Sequence, residues 1–137
     1  MGLYLCVFDR DEELDGVEVG SYEDYGRFTD CVTRELEGGK HGSKFPVLIM
    51  HSNCDGEWSP RDAAVLEQEL TRISVEFRRR PPVPITGDWQ MRVVEEEGLS
   101  LDNLYDCFFD VDGTPLLERM IDLARLSVQR RLPILFQ

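Results

Sequence analysis

Apolar residues fall along this chain as short unbroken runs alternating with helical stripes. Leu3-Tyr4-Leu5-Cys6-Val7-Phe8 is one such run, and its end at Asp9-Arg10-Asp11-Glu12-Glu13-Leu14-Asp15-Gly16 predicts a buried first strand followed by an exposed acidic loop. Val17-Glu18-Val19 alternates, as a short edge strand does. Ser21 has the chemistry of a helix N-cap, with Glu23 and Asp24 suited to the positive end of the dipole. Tyr25, Phe28, Val32 and Leu36 then form one stripe, which stops at Gly38-Gly39. Phe45-Pro46-Val47-Leu48-Ile49-Met50 is a second compact apolar run and predicts a central strand covered on both faces. From His51 to Trp58 the chain turns polar and ionisable, placing a loop at the carboxyl end of that strand, where open α/β sheets bind ligands.

Helix signals return at Ser59-Pro60. The serine can cap, the proline loses nothing at the first helical position, and Asp62 completes the start. Ala63, Leu66, Leu70, Ile73 and Phe77 carry this helix to about Arg79, and Arg78-Arg79-Arg80 complement its negative end. Pro81, Pro82 and Pro84 form a stiff connector. Asp88 to Glu97, closed by Gly98, predicts a short helix, and Ser100 and Asn103 predict another through Leu104, Tyr105 and Phe108. Thr114-Pro115 repeats the cap-plus-proline signal before a stripe of Leu117, Met120, Ile121, Ala124 and Val128. Pro133-Ile134-Leu135-Phe136-Gln137 predicts a terminal strand that must dock, because a free tail would expose it. The order of elements predicts an α/β or α+β sandwich: a small β-sheet packed by three main helices, in a single domain over residues 1–137.

With 137 residues and 42% hydrophobic content, the chain can fill one core. No run approaches the roughly 18 apolar residues of a membrane helix, and the opening residues have neither a basic region nor a cleavage site, so a cytoplasmic location is expected. Cys6, Cys31, Cys54 and Cys107 are scattered without C-x-x-C spacing and are expected to be reduced, mainly buried thiols. The net charge of −12 changes the picture most. It argues against nucleic acid or an anionic membrane as direct partner and favours a basic protein. Residues 1–37 hold 11 acids against 3 bases and residues 81–137 hold 10 against 5, whereas residues 38–80 hold 6 against 7, so the charge sits at the two ends.

Candidate chemistry concentrates in the 51–58 loop. Cys54 and His51 suggest a nucleophile and its base, and Asp55 with Glu57 suggest paired carboxylates, so a small cysteine- or carboxylate-dependent hydrolase is the alternative to a binding protein. Against it, catalytic cysteine and histidine usually come from distant parts of the chain, and among 27 acids carboxylate pairs arise by chance. No metal or cofactor is expected: His51 and Cys54 lack a matching second pair for zinc. Around Asp110-Val111-Asp112-Gly113, Phe108 and Arg119 stand where calcium needs oxygen. Trp58 beside Asp55 and Glu57 has the composition of a protein-binding hot spot, an aromatic anchor with complementary charge.

Several motifs together resemble the immunity protein 70 family of bacterial polymorphic toxin systems. They are Met1-Gly2-Leu3-Tyr4-Leu5 with Val7-Phe8-Asp9, the Asp15-Gly16-Val17-Glu18-Val19-Gly20 turn, the His51-Ser52 to Ser59-Pro60 loop containing Cys54-Asp55-Gly56-Glu57-Trp58, and the ending Pro133-Ile134-Leu135-Phe136-Gln137. The resemblance implies a small cytoplasmic protein that binds and blocks a cognate toxin domain, without catalysis. In that setting Asp9, Asp11, Glu12, Glu13 and Asp15 are expected to steer association with a basic toxin, such as a nuclease, and Asp55, Glu57 and Trp58 to supply contact.

Overall fold

The structure, a computed structural model, describes residues 2–137. Strand β1 (Gly2–Asp9) pairs antiparallel with β2 (Glu12–Ser21), so most of the acidic stretch expected to be a loop is strand. Only Arg10 and Asp11 turn, and Arg10 takes a left-handed φ of 58°. Two bulges shift the register, between Val7 and Phe8 and between Leu3 and Tyr4, leaving Leu14 and Val19 of β2 without a direct partner and both packed on the core.

Helix α1 (Tyr22–Leu36) starts with a full capping box. The Ser21 hydroxyl accepts from the Asp24 N–H at 3.0 Å, and the Asp24 carboxylate accepts from the Ser21 N–H at 2.8 Å. Across the chain, the Phe45–Met50 run departs from expectation: it forms a one-turn helix, α2 (Pro46–Ile49). The cause lies elsewhere in sequence. The Glu69 carboxylate, 6% exposed, accepts from the N–H groups of Val47 at 3.1 Å and Leu48 at 2.9 Å, capping from outside a turn that has no cap of its own. Glu37, 3% exposed, holds the preceding loop through the N–H groups of Gly42, Lys44 and Phe45.

Strand β3 (Glu57–Trp58) is only two residues long. Helix α3 (Pro60–Arg78) follows, with the Ser59 hydroxyl accepting from the Asp62 N–H as its cap, and then α4 (Asp88–Glu97), which ends on left-handed Gly98. The helix expected after Ser100 reduces to a 3-10 turn at Tyr105–Cys107. Helix α5 (Leu116–Arg130) begins one residue after Pro115, which takes the cap position itself, and Thr114 makes no side-chain cap. Asp110 instead shapes the turn before it, accepting from the N–H groups of Asp112 and Thr114 at 2.9 and 3.0 Å. Arg119, at the position where calcium would need a carboxylate, lies 3.6 Å from Asp110.

Strand β4 (Ile134–Phe136) is docked between β1 and β3, giving an all-antiparallel sheet of order β2-β1-β4-β3 and an α+β fold. Helices α1, α3 and α5 contact the sheet, with α3 and α5 packed along each other. One continuous core results, in which Leu3, Leu5, Val7, Val17 and Val19 meet Tyr25, Phe28, Leu66, Leu70, Phe77, Leu117 and Met120.

Replacing Glu69 by Ala orphans two N–H groups at the start of α2 and is expected to cost about 3 kcal/mol, read from urea unfolding midpoints. Acid sensitivity has its own signature. Burial disfavours the charged Glu37, but N–H groups of Phe45, Lys44 and Gly42 and the Thr33 hydroxyl outweigh it and lower its pKa from the ordinary 4.5. A lowered folded value means the stabilisation is present above 4.5 and lost as pH falls through that lower value. Glu69, raised chiefly by burial, works in the opposite direction. The Glu37 contribution to stability should therefore be lost as pH falls below the ordinary 4.5, and Glu37→Gln should remove that part of the acid dependence in pH-dependent melting.

Candidate functional site

The 51–58 loop hangs from β4 by backbone and ring contacts. The Phe136 N–H donates to the Gly56 carbonyl at 3.0 Å, and the His51 ring stacks on Phe136 with centroids 4.3 Å apart. The two His51 ring nitrogens face backbone carbonyls, Nδ1 that of Ser52 at 2.8 Å and Nε2 that of Glu57 at 2.9 Å. Neither is turned to Cys54, whose exposed thiol lies 3.6 Å from the Ser52 hydroxyl. A nucleophile-and-base pair is therefore not assembled in this loop. The other thiols are buried, and burial pushes Cys6 and Cys31 up to about 11, so they stay protonated at neutral pH. Among the described residues no cluster of three or more His, Cys, Asp or Glu could hold a metal.

Trp58 corrects the hot-spot expectation. Its side chain is 1% exposed, its ring packs on Phe136 at 4.7 Å, and its indole N–H donates to the Val47 carbonyl at 3.0 Å. The strand pleat explains this: Glu57 and Trp58 must point to opposite faces of the sheet, and the indole takes the helix-covered one. Asp55 and Glu57 are exposed.

The hairpin acids also divide. Asp9 is paired with Arg130 at 3.1 Å, and Asp15 with Arg119 at 3.0 Å, whose guanidinium also donates to the Gly16 carbonyl. Both lie on the helix side of the hairpin, where α5 supplies the cations. Asp11, Glu12 and Glu13 are exposed and make no ion pair among the described residues. The structure thus brings Asp11, Glu12 and Glu13 to one end of the sheet and Asp55 with Glu57 to its other edge. Glu18 on β2 is exposed too and was missed because its strand reads as plain alternation.

A cleft of about 280 Å³ lies apart from both groups, between α1 and the 83–87 connector. Its wall alternates Asp24, Arg27, Asp30 and Arg34, so it offers no single charge to a ligand. Asp24 is already committed: burial works against its charge, but the Trp89 indole, the Gln90 amide and the Ser21 cap outweigh it and hold its carboxyl below the usual range.

The model of immunity protein 70 matches residues 3–136. The chain belongs to the immunity protein 70 family. An immunity protein of this family serves a toxin system, and its partner is a cognate toxin protein. Searches of curated proteins and of solved structures returned no match. No helix among the described residues is long and apolar enough to cross a membrane.

Trp58→Phe should cost about 1–2 kcal/mol in chemical denaturation, because the Val47 carbonyl loses its partner. Cys54→Ser, on an exposed loop, should change stability by less than about 0.5 kcal/mol.

Proposed function

We propose that this immunity protein neutralises a basic toxin domain, of the kind that must attract nucleic-acid phosphate, by covering it in the cytoplasm without making or breaking a bond. The observation that carries this reading is the charge. A net −12 whose exposed hairpin acids Asp11, Glu12 and Glu13 form no ion pair among the described residues matches a positively charged surface on another protein. A phosphate-attracting active site has such a surface, and the same field repels nucleic acid from the inhibitor itself. In this reading the hairpin steers approach, while Asp55 and Glu57 at the far edge add rim contacts. Trp58 has no direct part. The loop geometry at His51 and Cys54 gives no support to the hydrolase alternative.

The test is co-expression with the cognate toxin domain, where growth should be rescued. For the purified pair, Asp11→Asn/Glu12→Gln/Glu13→Gln should slow association about tenfold at low salt and flatten its salt dependence, with little change in dissociation. An unchanged association rate by stopped flow would remove the hairpin from the encounter.

A further inference from the structure

An antiparallel sheet with one face in water usually alternates apolar inward and polar outward. Strands β1 and β4 do not. Leu3, Leu5 and Val7 point to the helices, so Tyr4, Cys6 and Phe8 point to the opposite face, where Leu135 joins them across from Cys6. Cys6 is buried, Tyr4, Phe8 and Leu135 are half-buried, and none of the four belongs to the helix-side core. The helices that contact the sheet are α1, α3 and α5, with α3 contacting both of the others, and their buried side chains join the core on the Leu3, Leu5 and Val7 side. These two strands therefore have the composition of strands covered twice, while the described residues cover them once.

The rim of this second face is acidic. Glu13 lies opposite Phe8, Glu18 opposite Tyr4, and Glu57 opposite Leu135, all exposed. The four strands contain no Lys or Arg. Edge strands β2 and β3 are three strand spacings apart, about 14 Å, so the acids bracket an apolar strip. The Tyr4 ring leans toward β2 and sets its hydroxyl end over Gly16, which has no side chain to collide with it, and hydrogen bonding to the Glu13 carboxylate, with burial, pushes the Tyr4 pKa up to about 12.

We propose that this open sheet face is where the toxin docks, and that the toxin presents apolar side chains ringed by Lys and Arg. The proposal rests on the toxin-binding reading above and goes beyond it by naming the surface. A second copy of this chain would set glutamate against glutamate, so the charge selects a basic partner.

Binding to the purified cognate toxin domain, by calorimetry and stopped flow, tests it. Leu135→Lys should weaken binding by about 100-fold or more, as for a central apolar contact. Glu13→Lys/Glu18→Lys should slow association by about tenfold, whereas Glu95→Lys/Glu96→Lys on α4, with the same change in charge, should leave it nearly unaltered. If Leu135→Lys does not fold by circular dichroism, the exposed Glu13/Glu18 pair decides alone. Unchanged binding by the face variants, or equal loss in the α4 control, overturns the proposal while toxin binding itself stands. Self-association abolished by Leu135→Lys would assign the face to a second copy and also overturn it. A wild-type chain that neither binds nor rescues would remove the toxin-binding reading first, and the proposal with it.

Discussion

The pairing of β4 with β1 is the constraint on which this fold depends. Tyr4 and Gln137 exchange backbone hydrogen bonds at 3.3 and 2.9 Å, and Leu5 and Cys6 face Phe136 and Leu135. Without β4, the Glu57–Trp58 strand has no neighbour, Phe136 leaves the Trp58 and His51 rings, and the sheet shrinks to one hairpin. A lone two-stranded hairpin is barely stable in water, so joining residues far apart in sequence is what makes a sheet broad enough to carry a face. The entropy of closing that long loop is offset by burying Ile134 and Phe136 against the helices.

A second level of control comes from buried carboxylates. Glu37 and Glu69 give their oxygens to backbone N–H groups across residues 42–48, a stretch that would otherwise present unpaired donors inside the protein. They keep an apolar run out of the sheet and leave the place beside β1 to β4. Arg119 does similar work at the other end, tying Asp15 and the Gly16 carbonyl of β2 to α5 and the Asp110 turn. Charges with internal partners are thereby spent on the fold. Asp11, Glu12, Glu13, Glu18, Asp55 and Glu57 are among the acids that stay exposed and form no ion pair among the described residues.

An inhibitor differs from an enzyme in what it needs from its fold. Catalysis calls for two or three groups held within hydrogen-bond reach of one another and of a substrate, and the central loop does not provide this: its imidazole is turned to backbone and its thiol away from it. Inhibition calls for a broad rigid surface of defined charge, and an antiparallel sheet supplies one cheaply because its register fixes every side chain on a face. Membership of the immunity protein 70 family agrees with that division.

Local patterns settled much of this protein. The stripes of α1, α3 and α5, the Ser21 and Ser59 caps, the Gly98 stop and the docked terminal strand are all legible in sequence, because helix periodicity and capping act over a few residues. The acidic balance and the family motifs are legible for the same reason. Tertiary structure decided the rest. Phe45–Met50 is a helix because a carboxylate more than 20 positions away caps it, and no window of local sequence contains that contact. The acidic stretch is strand because its bulges let Leu14 and Val19 reach the core. Trp58 is inside and Glu57 outside because the pleat assigns neighbours to opposite faces, and only the pairing with β4 says which face is which.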